Sequence, residues 1–211
     1  MTPTVAIVDL GLGNLRSVAR ALQRAGASPS VVSEPEDLRG AERIVVPGQG
    51  AFRDGARALS GGLGDALREA LERGTPYLGI CLGMQLLFEG SDEAPGAVGL
   101  GCFRGTVRRF EPDLRDPRTG DRLKVPHVGW NFIEARHPVL PASGWFYFAH
   151  SYVCVPLDPG DVAAEVDYGG KRCAAVARDA MLAVQFHPEK SADAGRLLMA
   201  GFLGVRTGGG A

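Results

Sequence analysis

Short apolar runs alternate with stretches of helical spacing through the first half of the chain. Val5 to Leu10 reads as a buried strand that ends in the turn Gly11 to Gly13. A helix is expected from about Asn14, because Leu15, Val18, Ala19, Leu22 and Ala25 recur every three or four residues before Gly26 stops the pattern. Ser30 to Val32 and Arg43 to Val46 read as the next two strands, with the S-x-x-E capping pattern of Ser33 to Glu36 starting a short helix between them. A helix of about Gly64 to Arg73 and a fourth strand, Tyr77 to Ile80, complete this half. Strand and helix alternating in this way predict a mostly parallel sheet with helices on both faces.

Beyond about residue 100 the pattern changes. Cys102 to Phe110 and Leu123 to Trp130 read as strands around a polar loop, and Trp145 to Val155 as one long strand. Val162 to Tyr168, Lys171 to Ala177 and Met181 to Phe186 read as a meander, with Gly169-Gly170 and Arg178-Asp179 as its turns. Ser191 is expected to cap a last helix, Ala192 to Phe202. The fold class is therefore α/β, with an antiparallel extension in the second half. No linker or internal repeat interrupts residues 1–204, which are expected to form one domain, and the glycine-rich tail, 205–211, is expected to be disordered.

Composition narrows the function more than the fold. A chain of 211 residues with 45% hydrophobic and 22% charged residues can bury a core without metal or disulfide staples. Its net charge of −1 supplies no field for nucleic acid or an anionic membrane. The four cysteines, Cys81, Cys102, Cys154 and Cys173, form no C-x-x-C pair, so no metal or cofactor is expected from them. The N-terminus lacks a signal-like n-region, and no run approaches the ~18 apolar residues of a membrane span. A reducing cytoplasm is the expected compartment.

Three segments carry candidate chemistry. Gly79-Ile-Cys81-Leu-Gly83 joins an apolar strand to a helix-like stretch, Met84 to Phe88, in the manner of a nucleophile elbow with sulfur in place of oxygen. The turn is sharp enough to strain its central residue and to exclude side chains two positions away on either side. It lifts the sulfur above the carboxyl ends of the strands, where open α/β sheets bind ligands. The N–H of Leu82 then faces the space beside the sulfur and can stabilise an oxyanion. His187-Pro188-Glu189 supplies a base and its orienter. Residues i and i+2 of an extended segment share a face, and Pro188 holds His187 extended. Pro47-Gly48-Gln49-Gly50 ends a strand at the same edge and lets backbone N–H groups turn toward an anion.

A cysteine elbow, an extended His-x-Glu and a glycine-rich strand end, in this order, resemble class I glutamine amidotransferases over Val5 to about Leu203. Within that class the chain is most similar to glutaminase subunits of imidazole glycerol phosphate synthase. The words that carry this likeness are Asp9-Leu-Gly-Leu-Gly-Asn-Leu15, Pro47-Gly-Gln-Gly-Ala-Phe52, Val125-Pro-His-Val-Gly-Trp-Asn131, His150-Ser-Tyr152 and His187-Pro-Glu-Lys-Ser191. Such subunits usually carry tyrosine where Leu10 stands and often valine where Gln49 stands. Neither departure touches a catalytic side chain.

The resemblance implies catalysis by Cys81, His187 and Glu189, with the backbone N–H groups of Leu82 and of the Gly48–Gln49 turn around the oxyanion. It also implies that Gly48, Gly50, Gln85, Ser151 and Tyr152 hold glutamine. Asn14, Trp130, Tyr147 and Lys190 match positions facing the family's partner, a (β/α)8-barrel cyclase that forms a heterodimer and receives ammonia through a tunnel. The other reading of the same residues is a stand-alone thiol hydrolase of γ-glutamyl substrates.

Overall fold

The computed structural model describes residues 2–140 and 142–204; the tail expected to be disordered lies outside them. The first half contains β1 (Thr4–Val8), α1 (Leu15–Arg24), β2 (Ser28–Val32), β3 (Ile44–Gly48), α2 (Phe52–Ala58), α3 (Gly62–Glu72), β4 (Tyr77–Cys81), α4 (Leu82–Gln85) and β5 (Phe88–Ser91). The second contains β6 (Phe103–Arg109), β7 (His127–Ala135), β8 (Gly144–His150), β9 (Tyr152–Pro156), β10 (Val162–Asp167), β11 (Lys171–Arg178), β12 (Met181–Val184) and α5 (Ala192–Phe202).

Nine strands form one sheet in the order β2-β1-β3-β4-β12-β11-β10-β7-β8. From β2 to β12 every pairing is parallel, and from β12 to β8 every pairing is antiparallel. The expected α/β class with an antiparallel extension is what the chain adopts. A smaller sheet, β5-β6-β9, packs beside it.

Alternation along the parallel strands divides the core. Ala6, Val8, Ile44 and Val46 point toward α2 and α3, where they meet Phe52, Leu63 and Leu67. Val5, Ile7, Val45, Leu78 and Ile80 point the other way, onto Val18 and Leu22 of α1 and Leu198 and Met199 of α5. Both faces are covered, so β3 and β4 are buried along their whole length and read as unbroken apolar runs. Each such buried aliphatic side chain stabilises the fold by roughly 1.5–3 kcal/mol.

Several elements differ from expectation. The run Trp145 to Val155 divides at Ser151 into β8 and β9, which belong to different sheets. The strand expected over Leu123 to Trp130 is shifted to His127–Ala135. The Ser33 capping box does not form: the turn after it is a 3-10 helix, Pro35–Leu38, and the Ser33 hydroxyl bonds the Glu34 carboxylate at 3.3 Å. Pro35 keeps Glu34 extended, at ψ 144°, so the turn begins after Glu34 and Ser33 lies outside the cap position. Ser191 occupies the cap position of α5 but donates to the His187 carbonyl at 2.6 Å and accepts from Tyr147 N–H at 3.0 Å. Its hydroxyl therefore ties the segment after β12 to β8.

Candidate active site

The three motif segments meet because β3, β4 and β12 are adjacent and parallel. Gly48 lies opposite Cys81 in the β3–β4 register, and Val184 lies opposite Ile80 in the β4–β12 register. Their carboxyl ends therefore deliver Gly48-Gln49-Gly50, Cys81 and Gln185-Phe186-His187 to one edge. Segments separated by more than a hundred residues become neighbours through sheet order alone.

Cys81 has φ 54° and ψ −105°, a left-handed conformation that a side chain adopts only when its surroundings enforce it. The glycines on either side make room for this turn. A Cβ on Gly83 would stand 1.8 Å from the Val46 carbonyl oxygen, and one on Gly79 would stand 2.7 Å from the Gly83 carbonyl oxygen. Both glycines allow α4 to start directly against the strands, as the elbow spacing predicted. Leu82 is the first residue of α4, so its N–H has no acceptor within the helix.

His187 follows β12 and is 2% exposed. Its Nδ1 lies 2.9 Å from Glu189 Oε1, and Glu189 is as deeply buried as the imidazole. The other ring nitrogen is left for the Cys81 sulfur, which lines the same cavity as His187. Burial opposes a charge on the ring, but the hydrogen bonds and charges of Cys81 and Glu189 outweigh it and raise His187 to about 9. The remaining thiols have a different environment. Burial pushes Cys102 and Cys154 up, and takes Cys173 to about 12. They are packing residues with no base beside them.

A cavity of about 290 Å³ opens at Cys81, lined by Gln49, Gly50, Leu82, Gln85, Glu93, Pro126, Ala149, His150, Ser151, Tyr152, His187 and Lys190. Gly50, Gln85, Ser151 and Tyr152, all expected to hold substrate, are thus brought together. Gly48 is not in the lining. It is buried in β3, where a Cβ would press to 2.9 Å from Leu82 Cβ, so its lack of a side chain makes room for Leu82. A larger space of about 1050 Å³ lies beyond Pro126, but none of its lining residues is a cysteine, serine, threonine or histidine.

Two lining or supporting residues escape the sequence reading. Gln185 is fully buried; its Nε2 donates to Cys81 Sγ at 3.5 Å and its Oε1 accepts from Gln85 Nε2 at 3.2 Å. A lone polar residue between Val184 and Phe186 is the signal that marks it. Glu93 accepts from Phe52 N–H at 2.7 Å and brings a carboxylate into the cavity lining. No local pattern distinguishes Glu93.

Of the expected partner-facing residues, three adjoin one another. Lys190 lines the cavity, and its ammonium lies 5.6 Å from the Tyr147 ring centre; Tyr147 meets Trp130 edge-on at 6.3 Å. Asn14 is exposed and its side chain caps α1, accepting from Ser17 N–H at 3.2 Å.

Residues 6–203 match the family model for glutamine amidotransferase class-I. The chain belongs to the class-I glutamine amidotransferase family. Among curated relatives of this amidotransferase is the imidazole glycerol phosphate synthase subunit HisH of Methylococcus capsulatus, 47% identical with 95% of each chain covered. The HisH subunit of Acaryochloris marina is 44% identical over 95% of this chain and 94% of its own. A solved glutamine amidotransferase superposes with a TM-score of 0.73 at 25% identity, covering 95% of this chain and 99% of that one. PurLQS from Thermotoga maritima shares the fold at a TM-score of 0.76 and 21% identity, over 97% of this amidotransferase and 99% of that chain.

Proposed function

We propose that Cys81, His187 and Glu189 carry out the glutaminase half-reaction of an imidazole glycerol phosphate synthase. The chain acts as the glutaminase subunit of that enzyme, in histidine biosynthesis. Cys81 sulfur attacks the side-chain amide carbon of glutamine. The proton held between Cys81 and His187 passes to the leaving nitrogen, and ammonia departs from a thioester. Water then gives a proton to His187 and attacks the thioester, which releases glutamate and restores the thiol. Glu189 keeps the imidazole oriented throughout. The N–H groups of Leu82 and Gln49 receive the oxyanion.

Around the reacting carbon, Gly50, Gln85, Ser151 and Tyr152 contact glutamine, and Glu93 receives its α-ammonium group, the one positive charge on the substrate. Gly48 serves by making room for Leu82. The observation that carries this reading is a cysteine held at φ 54° with a buried His187–Glu189 pair delivered beside it by the next strand.

Ammonia is a nucleophile only while unprotonated, so its release next to a partner subunit has a chemical reason. We assign that partner as a (β/α)8-barrel cyclase in a heterodimer, docked on Trp130, Tyr147 and Lys190, with Asn14 at the margin. The compartment is the cytoplasm; no described helix is long and apolar enough to cross a membrane. Residues 1–204 act as one domain.

The test is Cys81→Ala, assayed with the cyclase. Glutamine-dependent synthesis is expected to vanish, while synthesis from added ammonium salt continues. Glutaminase turnover that persists in this variant removes Cys81 from the mechanism. Wild-type turnover that is unchanged by the cyclase and its ligand would instead favour a stand-alone γ-glutamyl hydrolase.

A further inference from the structure

The words Val125-Pro-His-Val-Gly-Trp-Asn131 and His150-Ser-Tyr152 each contain a histidine that the mechanism leaves unused. Both rings are buried, and they touch: His127 Nδ1 lies 3.2 Å from His150 Nε2. The protons of this pair can be placed from its ends. His150 Nδ1 is 2.7 Å from the Tyr152 carbonyl oxygen, which only accepts, so Nδ1 carries the hydrogen. Neutral His150 then offers Nε2 as an acceptor, and His127 Nδ1 must donate to it. That leaves His127 Nε2 as an acceptor, facing Asn131 Nδ2 at 3.4 Å. The Asn131 amide is itself oriented by backbone: Nδ2 donates to Asp167 O at 3.0 Å, and Oδ1 accepts from Phe132 N–H at 2.8 Å. One direction of donation therefore runs from Asn131 through both rings to Tyr152.

We propose that His127 is a positioning residue for the glutamine-binding segment, acting through His150 on the Tyr152 carbonyl. This rests on the reading that Ser151 and Tyr152 contact glutamine. The strut is needed where it stands, because β8 ends at His150 and β9 begins at Tyr152 in another sheet. Ser151 itself belongs to neither strand and is held by one backbone bond, its carbonyl accepting from Phe110 N–H at 3.1 Å; the Tyr152 carbonyl is held by His150, and both Ser151 and Tyr152 line the cavity. His127 is fixed by stacking between Tyr168, at 3.8 Å between ring centres, and Phe148, at 4.7 Å. Burial pushes His127 down to about 3, with His150 adding to the effect. Burial takes His150 down to about 4, against the Tyr152 carbonyl and together with the His187 charge. Both rings are thus neutral under working conditions, as the directional chain requires. Both nitrogens of His150 are also occupied, so it cannot compete with His187 as the base.

The wild-type chain tests the proton placement directly. With ring-15N histidine, long-range proton–nitrogen correlation is expected to read His127 and His150 as Nδ1–H tautomers, whether or not glutamine binds. An Nε2–H form of either ring overturns the proposal. Function is tested in the complex with the cyclase. His127→Phe keeps the stacking and deletes the donor; loss of one hydrogen bond predicts a KM for glutamine raised about 10-fold with kcat little changed. His127→Asn, whose Nδ2 takes the place of Nδ1, is expected to recover most of that loss. Ammonium-dependent synthesis is expected to stay at the wild-type level in both. A folded His127→Phe with wild-type KM also overturns the proposal, and if it fails to fold, the tautomers and His127→Asn decide. Failure of the glutamine reading itself would register separately, as glutaminase activity surviving Cys81→Ala.

Discussion

At the scale of single residues, the proposed site depends on an imidazole placed between a thiol and a carboxylate. His187 titrates near 9 in the folded chain against an ordinary 6.5. A raised pKa means that the folded state holds this proton more tightly than the unfolded one. The associated stability is complete below about pH 6.5 and is lost as pH rises through about 9. Glu189→Gln removes one of the groups that raise His187. The difference in melting temperature between wild type and this variant is therefore expected to shrink from pH 6.5 to 9.5. A difference that stays constant over that interval would mean that His187 is neutral in the folded chain. Gln185 offers a second test, since it links Cys81 to Gln85 inside the protein. Gln185→Met keeps the volume and removes both hydrogen bonds, so glutaminase kcat/KM is expected to fall about 10-fold or more. Wild-type kinetics would reduce Gln185 to filler.

At the scale of elements, the elbow works because two glycines permit α4 to begin against β3 and β4. Gly83→Ala sets a Cβ against the backbone oxygen of Val46, which cannot move without shifting the strand. The expected cost is about 3 kcal/mol, a melting temperature lower by roughly 6–12 °C, with glutaminase activity lost as Cys81 leaves its conformation. Gly201 in α5 is the opposite case. It is exposed, with open space where an alanine methyl would stand, and Gly201→Ala is expected to stabilise by up to about 1 kcal/mol. Calorimetry of the two variants should give shifts of opposite sign. The elbow was legible in the sequence because its requirements are local: an apolar strand, a cysteine, and glycine at two fixed offsets. Strands β1, β3 and β4 were legible for the same reason, as apolar runs bounded by turns. The break at Ser151 was not, since Trp145 to Val155 has continuous strand character and only the partner strands decide where it divides. Nor was the central place of β12, which looks like the end of a meander until its pairing with β4 is known. Gln185 and Glu93 were missed on similar grounds: their roles come from which segments the sheet brings beside them.

At the scale of the whole molecule, the catalytic cavity and the proposed docking face form one continuous surface. Lys190 belongs to both: it lines the cavity, and its ammonium lies over the Tyr147 ring. From Tyr147 the surface continues to Trp130 and then along the outer side of β7 and β8, at the edge of the sheet. Trp130 is 51% exposed, Val128 59% and Trp145 58%, a concentration of large apolar side chains that solvent does not favour. A partner seated there would cover the cavity mouth and exclude water from the path that ammonia takes. Affinity and activation are then expected to separate along this surface. Trp130→Ala removes a large aromatic anchor and should weaken binding to the cyclase by about 2 kcal/mol, or roughly 30-fold in Kd. Lys190→Ala, nearer the reacting atoms, should leave more of the affinity and lose more of the glutaminase stimulation that the partner provides. Titration calorimetry with the cyclase, paired with glutaminase assays at saturating partner, distinguishes the two. Equal loss of affinity in both variants, with full stimulation at saturation, would mean that this face holds the subunits together without linking their sites.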